Sequence, residues 1–230
     1  MKLYTFTIVI LMSFAVPVSE FGVSQSQLEE TDGSITGVVE LIPKNTPSRF
    51  GGGMYGRPSR SPSSEITVDS VLVILMGSEN NTTPQNTGPV ILDQKGQKFI
   101  PNLLPIRQNQ DVRIRNSDPV YHNVFSLSKT KKFDVGRRPR GEYLDVTFDK
   151  PGVVDVFCDI HSNMHAVIYV IPANALHWVK IKSGETFSID EVPPGNYELK
   201  VFASGYEEQS VAVEVGSGKI TQIGTVTLNS

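Results

Sequence analysis

The sequence has a single cysteine among its 230 residues, and it lacks the patterns of several common enzyme classes. One cysteine cannot form a disulfide within the chain. The sequence contains no GxxxxGK[ST] phosphate loop, no HExxH motif and no paired-cysteine zinc motif. The formal net charge of −3 argues against a broad affinity for nucleic acid or anionic membrane surfaces. These absences argue against P-loop nucleotide chemistry, zinc proteolysis and a disulfide-built domain.

The chain after residue 30 also lacks any sustained apolar period of 3.6 residues. Short β-like runs recur instead, among them "SITGVVELI", "VDSVLVILMG", "GVVDVFC" and "NYELKVFA", and Gly, Pro, Asn and Asp separate them. Many short strands at close spacing predict an all-β protein of the sandwich or barrel type. The Gly/Pro/Ser/Arg-rich residues 51–64 are predicted to be a loop, and residues 77–89 a second polar connection.

The N-terminus "MKLYTFTIVILMSFAVPVS" has a basic start, a short apolar run and then small residues. This pattern predicts a secretory signal peptide over residues 1–24, with cleavage between Ser19 and Ser24. A membrane anchor is the alternative, although the apolar run is short for a span and Pro17 interrupts its end. The expected location is therefore the periplasm or the exterior, with no membrane span after cleavage.

The single cysteine belongs to a cluster of potential metal ligands. Cys158, His161 and Met164 have the spacing C-x2-H-x2-M directly after the β-like run "GVVDVF". Thiolate, imidazole and thioether are soft to borderline donors, which suit copper better than magnesium or calcium. His122, 36 residues before the cysteine, is the candidate fourth ligand. Two histidines, one cysteine and a weak axial methionine are the donor set of a blue-copper electron-transfer site. A free cysteine as a buried small hydrophobe is the alternative.

Residues 86–171, with "NSDPVYHNVFSLS" and "FDKPGVVDVFCDIHSNMHAVIYVI", resemble the cupredoxins. Within that family they resemble the periplasmic plastocyanin-like, or methylamine utilisation, proteins. The resemblance implies a cupredoxin Greek-key β-sandwich with one mononuclear type 1 copper. His122, Cys158 and His161 would be the equatorial ligands and Met164 the axial ligand. It also implies that the Asn123 amide hydrogen-bonds the cysteine sulfur and that the Asn123 side chain ties the two ligand loops together. A dinuclear site would need a second cysteine, which the chain lacks.

The expected function is one-electron transfer, with a cytochrome or dehydrogenase-like protein as the redox partner. No substrate-activating base is visible in the sequence, so the chain is not expected to be an enzyme. Two alternatives remain: a copper-binding or delivery protein without a redox partner, and a β-sandwich interaction or glycan-binding module with a vestigial site. A visible spectrum of the copper-loaded protein would separate them.

Other residues near the motif carry weaker predictions. His165 follows Met164 directly, so it should point to the opposite face of an extended backbone. His177 is predicted to be a surface residue in a linker. Six basic residues lie between positions 129 and 140, and Asp134 is the one acidic residue among them. They form either a solvated loop or a docking surface for an acidic redox partner.

Residues 183–215 resemble the carboxypeptidase regulatory-like, or carbohydrate-binding-like, β-sandwich, with "VPPGNYELKV" and "SGYEEQSVAV" as the matching features. The early runs "SITGVVEL" and "DSVLVILMG" resemble the first two strands of the same module. We therefore expect a second small β-sandwich formed by residues 25–85 and 172–230, with the cupredoxin-like domain of residues 86–171 inserted into it. Tandem domains are the alternative.

Overall fold

The computed structural model describes residues 31–44, 70–77 and 88–230. The predicted signal peptide and the Gly/Pro-rich loop at residues 51–64 lie outside these residues. The described part of the chain forms an all-β structure, as the sequence predicted. Across these three segments we find no helix with the length and apolar character that crossing a membrane requires.

The strands belong to two units. The first unit contains nine consecutive strands, which are β3 (Val90–Gln94), β4 (Phe99–Ile100), β5 (Leu103–Arg107), β6 (Gln110–Asn116), β7 (His122–Leu127), β8 (Lys132–Arg138), β9 (Tyr143–Phe148), β10 (Gly152–Cys158) and β11 (His165–Ile171). The second unit contains the strands on either side of these, which are β1 (Gly33–Ile42), β2 (Ser70–Met76), β12 (Ala175–Lys182), β13 (Thr186–Val192), β14 (Gly195–Phe202), β15 (Gln209–Val215) and β16 (Ile220–Asn229).

The first unit is a sandwich of two sheets. One sheet has the strand order β5-β11-β10-β7-β8, and the other has the order β4-β3-β6-β9. The pairs β3–β6 and β5–β11 are parallel, and the other pairs are antiparallel. Alternate residues point between the sheets and form one apolar core, which includes Leu92, Ile114, Phe148, Val156 and Ile168. Cys158 and Met164 belong to the same core.

The second unit is assembled from both ends of the described chain. Strand β1 pairs with β13 and β16, and β2 pairs with β12 and β14. The resulting sheets have the orders β13-β1-β16 and β12-β2-β14-β15. Because strands that precede and follow the first unit share sheets, the first unit is inserted into the second.

The two units pack against each other through an apolar layer between their sheets. Leu72, Ile74 and Met76 of β2 contact a cluster that contains Val167 and Tyr169 of β11. The remaining residues of β2 and of β11, which alternate with those in the layer, face the core of their own unit. Both strands are therefore buried on two faces, which explains why "SVLVILM" and "HAVIYVI" are nearly continuous apolar runs. The molecule is a stack of four sheets.

Polar contacts supplement this layer at its margins. The Tyr169 hydroxyl donates a hydrogen bond of 3.0 Å to the Glu208 carboxylate, and burial raises the pKa of that tyrosine above its usual range. The Arg107 guanidinium lies 4.4 Å from the ring centre of Trp178. These contacts fix the orientation of the inserted unit on the second sandwich.

Candidate metal centre

The candidate ligands lie at one end of the five-stranded sheet. His122 is the first residue of β7, and Cys158 is the last residue of β10. These strands are antiparallel neighbours, and Cys158 is opposite Val124. The start of β7 and the end of β10 therefore lie side by side at the same end of the sheet. His161 and Met164 follow in the connection between β10 and β11.

Three of the four predicted ligands come together there. The Nδ1 atoms of His122 and His161 are 3.1 Å apart, and they lie 3.7 and 3.8 Å from the Cys158 Sγ. All three ligand atoms lie within 4.8 Å of one another. The side chains of His122 and Cys158 are buried, and His161 is partly exposed. The fold thus brings together two residues that are 36 positions apart in the chain, His122 and Cys158.

The spacing of these atoms matches what one metal ion requires. Metal–thiolate and metal–imidazole bonds are about 2.3 Å and 2.0–2.1 Å long. Two such bonds at roughly 120° place a sulfur and a nitrogen about 3.8 Å apart. The spacing of 3.1 Å between the two nitrogens corresponds to an angle of about 100°. One ion can therefore reach all three atoms, and a thiolate with two imidazoles is a donor set that copper favours.

Met164, the predicted axial ligand, lies beside this cluster. Its side chain is buried in the same apolar core as Cys158. Its backbone amide donates a hydrogen bond of 3.0 Å to the His161 carbonyl, which closes a tight turn between the two residues. The turn fixes the path of the chain between His161 and the start of β11. The ligand role of Met164 stays a prediction.

Asn123 connects the two segments that carry the ligands. Its side-chain amide donates to the Asp159 carboxylate at 3.3 Å, and its backbone carbonyl accepts from the Asp159 amide at 3.3 Å. Asp159 directly follows Cys158, so these bonds join the start of β7 to the end of β10. The side-chain oxygen of Asn123 is buried without a hydrogen-bond partner among the described residues. The predicted bond from the Asn123 amide to the cysteine sulfur stays a prediction.

Asp118 contacts a candidate ligand, although the sequence pattern did not indicate it. Its carboxylate lies 2.9 Å from the Nε2 of His122, and it is buried in the loop between β6 and β7. Burial acts to raise the pKa of this carboxyl. The amide hydrogen bonds from Gln97 and Gly96 and the contact with His122 outweigh burial and lower the pKa below its usual value. The sequence does place this acidic residue four positions before the proposed ligand His122, and that spacing is the one signal that could have indicated it.

The other histidines lie outside the cluster. His165 points away from it, and its Nε2 lies 2.9 Å from the Asp155 carboxylate. The imidazole stacks on Phe157 with ring centres 4.9 Å apart. His177 belongs to β12 and lies opposite Leu75, so it is part of a sheet and not of a linker.

The basic segment lies next to the candidate centre. In the pairing of β7 with β8, Arg138 is opposite His122 and Arg137 is opposite Asn123. Arg138 contacts Glu142 at 3.5 Å. The exposed large apolar side chains beside the ligands in sequence are those of Val120, Tyr121, Phe157 and Ile160. The ligand end of the sheet thus combines exposed apolar groups with arginines.

Comparisons with known proteins give one family match and several structural neighbours. A sequence family described as "Polysaccharide lyase family 4, domain II" matches residues 160–223. A search of curated proteins found no match. Structural neighbours include a copper-containing nitrite reductase (NirK) from Thermus scotoductus SA-01, with 25% identity, a TM-score of 0.35, and coverage of 39% of this chain and 24% of that chain.

Two further neighbours are an amicyanin and a purple cupredoxin. An amicyanin mutant in its oxidised state has 20% identity and a TM-score of 0.34, with coverage of 36% of this chain and 82% of that chain. A purple cupredoxin from Nitrosopumilus maritimus has 21% identity and a TM-score of 0.32, with coverage of 36% of this chain and 99% of that chain. The protein is an all-β protein with cupredoxin-like structural neighbours, and its His–Cys–His cluster is a possible metal site.

Proposed function

We propose that this protein holds one copper ion in a type 1 site and carries single electrons outside the cytoplasm. The observation that supports this function is the convergence of the His122, His161 and Cys158 ligand atoms within 4.8 Å of one another. His122, Cys158 and His161 would hold the copper, and the bound ion would supply one-electron redox chemistry. Met164 would contribute a weak fourth donor.

The protein's own residues would keep the site in one geometry during electron transfer. His122 and Cys158 belong to adjacent strands, and Asn123 with Asp159 joins those strands beside the ligands. Buried side chains on strand ends have little freedom to rearrange. The Cys158 thiolate is a soft donor that favours Cu(I), whereas imidazoles suit both oxidation states. Four side-chain ligands would leave no position for a substrate, so we propose a carrier and not an enzyme.

We further propose that the electron partner is an acidic protein that docks at the ligand end of the sheet. Arg137 and Arg140 are exposed there, and His161 is the cluster member that reaches the surface. Complementary charge at a docking face raises the rate of encounter more than the affinity. A cytochrome or a dehydrogenase-like protein with an acidic face fits this requirement.

The copper site is tested by loading the purified protein with Cu(II) and recording its visible spectrum and a reversible redox titration. The wild type should show strong absorption from sulfur-to-copper charge transfer, and one electron should bleach it reversibly. In Cys158→Ser, the hydroxyl is a hard donor that stays protonated near neutral pH, so this absorption should be lost. Copper uptake without reversible reduction would support copper delivery instead. No copper uptake would leave an interaction or glycan-binding module.

The docking surface is tested with two small oxidants of opposite charge, ferricyanide and tris(phenanthroline)cobalt(III). Arg137→Glu with Arg140→Glu should slow oxidation of the reduced protein by ferricyanide and accelerate oxidation by the cobalt complex. Both effects should shrink as salt is added, because screening shortens the range of the local field. Lys219→Glu, in the turn between β15 and β16 of the second unit, is the control that reverses a distant charge and should change neither rate. Equal effects of the two charge reversals would contradict a docking face at the ligand end.

A further inference from the structure

We infer that Asp118 is a positioning residue that holds the proton of His122 on Nε2 and leaves the Nδ1 lone pair on the side of Cys158 and His161. The inference rests on the proposed function, because the nitrogen it selects is the one that would bind copper. The tautomer of His122 can also be measured in the metal-free protein, independently of copper binding. Three observations support this inference: the groups that face the Asp118 carboxylate, the positions of the two His122 ring nitrogens, and the contacts that hold the Asp118 loop.

Two backbone amides and one imidazole nitrogen face the Asp118 carboxylate. The Gly96 amide donates to Oδ1 at 2.5 Å, the Gln97 amide donates to Oδ2 at 2.8 Å, and the His122 Nε2 lies 2.9 Å from Oδ2. An ionised carboxylate has only acceptor sites, so it can accept from both amides and from a proton on Nε2 at once. An asparagine at this position would direct its NH2 group at one or two of them. The residue is 5% exposed, so water does not replace a lost bond.

The same contact decides the state of the imidazole. A neutral imidazole carries its single proton on one nitrogen, and the other nitrogen keeps a lone pair. Because Nε2 faces a carboxylate, the proton of His122 belongs on Nε2. Its Nδ1 then keeps the lone pair, and this atom lies 3.7 Å from the Cys158 sulfur and 3.1 Å from the Nδ1 of His161. Metal-binding histidines commonly donate their second N–H to a carboxylate in this manner.

Asp118 is itself held on two sides. Asn116 is fully buried, accepts from the Asp118 amide at 2.8 Å, and donates to the carbonyls of Val120 and Arg138 at 2.8 Å each. On the other side, the turn between β3 and β4 has positive φ angles at Gly96 and Gln97, which turn both amides toward the carboxylate. A hairpin turn in the second sheet of the inserted unit therefore orients a candidate ligand in the first sheet.

The test begins with metal-free protein labelled with ¹⁵N in its histidines. In alkaline buffer, the ¹⁵N chemical shifts of His122 should report the Nε2–H tautomer in the wild type. Asp118→Ala and the nearly isosteric Asp118→Asn should populate the Nδ1–H tautomer as well. Asp93→Asn is the matched control, because Asp93 is a carboxylate of the same hairpin that binds Arg115 and Ser117 and not His122. An Nδ1–H tautomer in the wild type, or an unchanged tautomer in both Asp118 variants, would overturn the inference.

Copper affinity provides the second readout. Loss of such a hydrogen-bonded partner typically weakens metal binding by about 10–100-fold. We expect that loss for Asp118→Ala and Asp118→Asn, measured by competition with a chelator, and a change of less than about twofold for Asp93→Asn, which leaves the contacts of His122 in place. Circular dichroism of each variant checks the fold. If the tautomer depends on Asp118 but the wild type binds no copper, the proposed function fails and the positioning role stands. If copper binds equally well to the wild type and both folded Asp118 variants, the positioning role fails.

Discussion

The apolar layer between the two units should make them unfold together, and Ile74→Ala tests this directly. Ile74 is fully buried on β2 of the second unit, in the cluster that also contains Leu103, Val167 and Tyr169 of the inserted unit. Truncating a buried isoleucine to alanine costs about 2–5 kcal/mol, because the removed atoms leave a cavity. For a protein of this size that corresponds to a melting temperature lower by about 4–20 °C.

The chain provides one probe for each unit. Trp178, the only tryptophan, lies on β12 of the second unit, and Cys158, the only cysteine, lies in the inserted unit. In the metal-free protein, tryptophan fluorescence and thiol reactivity should report the same unfolding transition. Ile74→Ala should shift both readouts by the same amount. Ile220→Ala removes the same atoms from a side chain that is 67% exposed, so it should change the free energy of unfolding by less than about 0.5 kcal/mol.

Two results would refute this reasoning. The first is a wild type in which the two probes report separate transitions. In that case the two units would unfold independently despite the apolar layer between them. The second is an Ile74→Ala variant in which the fluorescence transition shifts and the thiol transition does not. Either result would mean that the inserted unit folds without the second sandwich and that the layer between them adds little to its stability.

Three further predictions concern the site and the assembly. Met164→Leu should keep copper and colour but raise the reduction potential in voltammetry, because loss of a weak donor disfavours Cu(II) more than Cu(I); an unchanged potential would mean that Met164 is not the axial ligand. The Cys158 thiol should resist alkylation when copper is bound and react after copper is removed, as followed by mass spectrometry, since only the free thiolate is nucleophilic; equal reactivity with and without copper would argue against ligation. Residues 178–230 alone should not fold, because β12, β13, β14 and β16 pair with β1 or β2; dispersed NMR signals from that fragment would contradict this.

The local sequence pattern was sufficient to predict the all-β fold, and it singled out Cys158 and His161, two members of the candidate site. Alternation and turn residues mark strands because their physical causes act over a few neighbouring residues. For the same reason, the spacing of Cys158 and His161 placed the cysteine at the end of a strand and the histidine in the loop that follows it. His122 could be included because its motif resembles that of a known family, although it lies 36 residues away. The apolar runs of β2 and β11 were recognisable as strands, since each is short and bounded by turn residues.

Only the tertiary structure decided the contacts that join distant segments. Asp118 looks like an ordinary turn residue in the sequence, and its role appears only when the β3–β4 turn, 21 and 22 residues earlier, brings two amides to it. The layer between the units likewise depends on β1 and β2 closing sheets with strands that follow the whole inserted unit. Such contacts are absent from any local pattern, because they exist only after the chain has closed long loops, and the packing of the whole fold selects which loops close.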